Sequence, residues 1–166
     1  MIRSVTACHF LFDFLLLTFF FPAGTDERPR GESRPLPRPE AVAETRLLME
    51  ALMEPNFRGV EKLLGTRPAN TESWTFARGQ ALLIAETGNL LMLRQPRAEG
   101  KEVWLQRAGE LRAAATRLAR AAAARDYDLS RSVLSSVANS CNRCHQTFRV
   151  PVRVTPFSGS QDKPVP

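Results

Sequence analysis

Histidine and cysteine are scarce in this 166-residue chain, with two of the first and three of the second. Past residue 10 only Cys141, Cys144 and His145 remain. A structural zinc site wants four ligands, so that chemistry is excluded. Lysine is nearly absent too, at Lys62, Lys101 and Lys163, and arginine supplies the other basic charges. No stretch alternates apolar and polar residues with period two, which argues against a sheet protein. No nucleophile–base pair, phosphate loop or carboxylate pair stands out, so the chain reads as a non-enzyme. Nor is there a nucleic-acid motif or a basic patch interleaved with aromatics, and no nucleic-acid partner is expected. No internal repeat is visible.

Both ends are unlike core sequence. Met1-Ile2-Arg3 is a short basic start, and Phe10 to Phe21 is an apolar run broken only by Asp13. That run falls short of the roughly 20 residues of a membrane span and meets Pro22-Ala23-Gly24. Residues 1–24 therefore read as an export signal cleaved near Ala23 or Gly24. The alternative is an uncleaved N-terminal anchor, since Phe21 and Pro22 make a poor cleavage site. Only that alternative would bring the chain to a membrane. Either way the domain is expected outside the cytoplasm, in the periplasm. Residues 25–39 are rich in proline and charge and read as a solvated linker, and residues 150–166 as a similar proline-rich tail. The folded domain is expected over 40–149.

Within those limits the apolar pattern is helical, in four blocks. The first runs from about Glu40 to Leu64 on Val42, Thr45, Met49 and Leu52, with a kink or short break expected at Glu54-Pro55. The second, about Thr71 to Leu93, lines up Trp74, Ala77, Ala81, Ile84, Gly88 and Leu91. The third, about Glu99 to Arg125, lines up Trp104, Ala108, Leu111, Ala115, Leu118 and Ala122. The fourth, about Asp128 to Arg149, lines up Leu129, Val133, Val137, Cys141, Cys144 and Phe148. Connections are short, which makes successive helices antiparallel neighbours. The fold class expected is all-α, an up-down-up-down four-helix bundle. Small Ala108, Ala115 and Ala122 on the seam either let two helices approach closely or leave room for something flat between them.

The fourth block holds the chemistry. Cys141-Asn142-Arg143-Cys144-His145 is the Cys-x-x-Cys-His attachment signature of haem c. Residues three and four apart share a helix face, so both thiols and the imidazole point one way. The thiols reach two vinyl groups of one porphyrin edge, and His145 supplies an axial nitrogen to the iron. A thioredoxin-type pair would sit at a helix start after a strand, and here it sits near a helix end with no strand nearby. A disulfide between neighbours on one helix would be strained. A haem-free helical dithiol or interaction module stays as an alternative.

Formal net charge is +6. From Lys101 to Arg153 basic residues outnumber Glu102, Glu110, Asp126 and Asp128, whereas residues 1–100 are balanced. That excess reads either as a docking face for acidic redox partners or as a plain preference for arginine.

A four-helix domain ending in Cys-x-x-Cys-His, followed by Phe148 and Arg149, resembles the cytochrome c′ / cytochrome c-556 family of class II c-type cytochromes. The resemblance covers about Glu40 to Arg149 and includes Trp104, the alanine-rich run to Asp126, and Arg46. It implies one covalent haem, Arg46 near its propionates and Arg149 beside its proximal face. It also implies a residue of the first helix facing the free side of the iron. Counted from Arg46 that position falls on Glu50, a poor candidate, so Met49 is the candidate sixth ligand and Met53 the alternative. Core filling is the plainer role of either sulfur. A homodimer is implied by the resemblance alone. The expected function is one-electron transfer by a mono-haem cytochrome. The alternative is a five-coordinate haem protein that binds nitric oxide or carbon monoxide.

Overall fold

The computed structural model describes residues 36–96 and 99–158, all helix, turn or irregular chain with no strand among them. The export segment 1–24, the linker up to residue 35 and the last eight residues lie outside the described residues. Four helical runs follow in order. The first comprises α1 (Thr45–Leu48), a π-helical turn (Met49–Met53) and α2 (Glu54–Leu63). The others are α3 (Thr71–Met92), α4 (Lys101–Ala123) and α5 (Tyr127–Thr147). Among the described residues no helix is long and apolar enough to cross a membrane.

Neighbouring helices run antiparallel. Arg94 at the end of α3 donates to the Ala43 carbonyl before α1, at 2.9 Å. Arg112 of α4 donates to Asn89 of α3, at 3.0 Å, and Arg143 late in α5 meets Glu110 of α4, at 3.2 Å. At the opposite end Tyr127 and Arg131, which start α5, both donate to the Leu64 carbonyl at the end of the first run, at 3.2 and 2.6 Å. The up-down-up-down bundle expected from the short loops is therefore present.

The stripes on α3 and α4 are buried as the periodicity predicts, with Trp104 half-buried. Their packing is close. A Cβ on Gly88 would lie 2.9 Å from the Ala108 carbonyl oxygen and 2.9 Å from the Arg112 Cβ. The small seam residue Ala108 thus serves helix approach, the first of its two readings. Trp104 donates from Nε1 to the Leu91 carbonyl at 2.7 Å and meets Phe148 edge-to-face at 5.0 Å, closing the end of the bundle where α5 stops.

Three expectations are corrected. The first helix starts at Thr45, not Glu40, and Val42 stands 88% exposed on irregular chain. Pro55 does not break it. The irregularity lies just upstream, where Glu54 N–H reaches the carbonyl of Met49 in the π turn. Pro55 then sits in the first turn of α2, where a missing donor costs little. Its neighbour Asn56 donates from its side chain to the Leu52 carbonyl, at 2.7 Å. On α5 the expected stripe holds at Val137 and Cys141 and, half-buried, at Val133, Cys144 and Phe148, but Leu129 is 49% exposed and Ser130, Leu134 and Ala138 are buried beside the stripe.

The expected solvated tail is, over residues 150–158, an ordered segment. Arg149 adopts a left-handed conformation (φ 56°), and Val150 N–H bonds back to the His145 carbonyl at 2.8 Å. This six-to-one closure of the helix reverses the chain. The segment then runs back beside α5, with Val154 and Phe157 packed against the core. Arg131 lies 3.7 Å over the Phe157 ring, whose backbone N–H donates to Glu61 of α2.

Candidate functional site

Asp126 caps α5 by accepting from Leu129 N–H at 3.0 Å, and the helix continues unbroken through Thr147. Cys141, Cys144 and His145 therefore occupy its last two turns. Cys141 faces the core and is 7% exposed; Cys144 is half-buried. Both thiols are free, without a disulfide.

Burial pushes the Cys141 thiol up from 9.0 to about 12, and the nearby Cys144 adds in the same direction. Burial also raises Cys144, aided by Glu110 and opposed by Arg107. The pair is protonated at neutral pH, the reverse of the lowered thiol a redox dithiol needs. Beside Cys144 lies a small charged group. Arg107 donates to both oxygens of Glu110, at 3.1 and 3.0 Å, and Arg143 shares that carboxylate. Burial pushes the Glu110 carboxyl up, yet the hydrogen bonds and charges of the two arginines together hold it below its ordinary value.

His145 is half-buried, and its Nδ1 lies 2.9 Å from the Val152 carbonyl. A carbonyl only accepts, so Nδ1 carries the proton and Nε2 keeps its lone pair. That is the tautomer of an imidazole ready to ligate a metal through Nε2. Among the described residues no three of His, Cys, Asp and Glu gather into a metal site. A bare ion would find no converging set of three such donors here. A porphyrin brings its own four nitrogens and needs from the protein only thiols and an axial donor, which is the donor set present.

The first helical run packs on α3, and neither of its α-helical parts packs closely along α5. Its inward residues at the level of the π turn are apolar. Leu48 and Met53 are buried, and Met49 and Leu52 pack partly buried against the core. Met53 is thus the deeper of the two candidate sulfurs. Arg46 is 84% exposed and is held by Glu50 at 2.7 Å, which raises its pKa, first through that hydrogen bond and then through charge. Glu50 itself lies outside the core, as its charge predicts. Arg149 is exposed in the turn that closes α5, four residues past His145. A cavity of about 480 Å³ beside Gly59, Leu63 and Gln80 contains none of the cysteine-motif residues.

Sequence reading missed Asn142. It fills a variable position of the motif, yet it accepts from Val154 N–H and donates to the Val154 carbonyl, both at 2.8 Å. An asparagine amide is the side chain shaped for both groups of one residue, a signal that the prolines of the tail obscured.

The fold and site together define a class, a four-helix bundle bearing Cys-x-x-Cys-His on its last helix. Residues 99–149 match the model of the family described as Cytochrome C′, so the resemblance to that family is shown over α4, α5 and the turn that follows. No curated protein matches the chain.

Proposed function

We propose that this protein is a mono-haem c-type cytochrome, not an enzyme, that carries one electron at a time outside the cytoplasm. One observation carries the reading. Two unpaired thiols and an imidazole share adjacent turns of α5, inside the segment that matches the cytochrome c′ family. Cys141 and Cys144 would hold the ring. Each S–H would add across a vinyl C=C, the sulfur bonding to one carbon and the hydrogen to the other, with no electron gained or lost. His145 would bind iron through Nε2. A haem held there would supply an iron that changes by one electron, and the apolar side chains of the first run would exclude water from it. Arg46 and Arg149 are proposed near the propionates and the proximal face, and the arginine-rich half of the chain as a face for acidic redox proteins. The N-terminal segment would deliver the chain to the periplasm.

Expression with a c-type maturation system, followed by mass spectrometry, tests the reading. The expected result is the added mass of one haem, retained on a denaturing gel and lost when both cysteines are replaced by alanine. A bare chain from a competent host would sink it.

A second reading follows from the apolar surroundings of Met49 and Met53. Without a sulfur on the iron, the sixth position would admit nitric oxide or carbon monoxide. Rapid carbon monoxide binding by the reduced protein supports that reading. No binding supports ligation by methionine, and a Met53→Leu variant that then binds the gas would identify the sulfur.

A further inference from the structure

The segment after α5 does more than end the chain. Val152 N–H donates to the Val150 carbonyl at 2.8 Å, a three-residue turn centred on Pro151. Proline fixes the backbone angle that such a turn needs. The turn brings the Val152 carbonyl to Nδ1 of His145. Two residues on, both backbone groups of Val154 are held by the Asn142 amide, on the same helix and one turn before His145. Further along, Phe157 is fastened by Glu61 and Arg131, on two different helices.

We propose that residues 150–158 are a strap that fixes the tautomer and orientation of the His145 imidazole, and that Asn142 is its positioning residue. The metal role of His145 rests on the functional reading above; the clamping of its ring does not. The Asn142 amide bonds to both backbone groups of Val154 and not to the His145 ring. It acts through Val154, which places Val152, which holds Nδ1. A carbonyl accepting from Nδ1–H raises the basicity of Nε2 and stabilises a ferric iron bound there.

The test compares the full chain with Asn142→Ala, Asn142→Asp and a chain ending at Val150. Alanine suits a helix interior better than asparagine, so folding of α5 is not at risk. The first readout is the ring nitrogen spectrum of His145 in the haem-free chain, where no metal fixes the tautomer and only one other histidine is present. The wild type should show one tautomer, protonated at Nδ1 and slow to exchange. Asn142→Ala and the shortened chain should show both tautomers, with ring-proton exchange about five- to tenfold faster, the loss expected for one hydrogen bond. Asn142→Asp keeps the acceptor for Val154 N–H and should fall between. The second readout is the reduction potential of the haem-bearing chain, which should rise in the same order. Unchanged ring spectra and potentials in Asn142→Ala and the shortened chain would overturn the proposal. A wild type lacking covalent haem would defeat the functional reading, and the ring spectra would still decide the strap.

Discussion

At the scale of single residues, the two thiols were legible and their surroundings were not. The spacing of Cys141, Cys144 and His145 placed all three on one face of a helix. Nothing in it showed that Cys141 turns into the core and Cys144 toward Arg107 and Glu110. The difference has a measurable consequence in the haem-free chain. The folded Cys141 thiol is raised from 9.0 to about 12, so its contribution to stability is complete below pH 9 and is lost as pH climbs toward 12. Between those values the unfolded chain has released a proton that the folded chain keeps. Unfolding free energy should fall by up to about 1.4 kcal/mol per pH unit, and Cys141→Ala should flatten that slope in urea titrations at pH 8 to 11. Alkylation at pH 8 should label Cys144 first, and equal labelling of the two thiols would contradict their burial.

The helices themselves divide into those a hydrophobic pattern reveals and those it does not. On α3 and α4 the predicted stripes are the buried ones. On α5 a hydroxyl misleads the eye. Ser130 is fully buried because its Oγ donates to the Asp126 carbonyl, at 2.5 Å, so a polar residue sits where leucine was expected and Leu129 faces out. The start of the first run was misread because Val42 fits the spacing but lies before any helical turn. Two glycines of α3 separate packing from propensity. Gly88→Ala would press a methyl onto the Ala108 carbonyl and should cost about 1–3 kcal/mol. Gly79→Ala meets nothing within 4 Å and should stabilise by about 0.5–1 kcal/mol. Thermal or urea unfolding of the two variants checks both signs, and equal effects would deny the close crossing of α3 and α4.

Across the whole molecule, the first and last helical runs are joined at one end by Arg131. Its guanidinium donates to the Leu64 carbonyl at 2.6 Å and lies over the rings of Tyr127 and Phe157, at 5.6 and 3.7 Å. This junction was invisible in the sequence, because its parts stand 67 residues apart and one of them lies in a segment that its prolines mark as solvated. Arg131→Ala should cost about 2 kcal/mol in urea unfolding. Arg131→Lys should recover only part of that, since an ammonium cannot lie flat on the rings. A loss under about 0.5 kcal/mol, the usual range for a surface change, would mean the two runs are held together elsewhere.

The π turn at Met49–Met53 has a consequence for how this helix is to be aligned with others. A turn that bonds five residues back holds one amino acid more than an α-helix would fit into the same length. Exposed Ala51 lies at its middle. The inward face at Leu48 and the inward face at Phe57 and Val60 are therefore out of phase by one position. A count of four from Arg46 lands on Glu50, the carboxylate that bonds to it on the outer surface, while the buried sulfur of Met53 lies at the far end of the turn. Past this turn the surplus amino acid, not a different architecture, displaces the numbering by one.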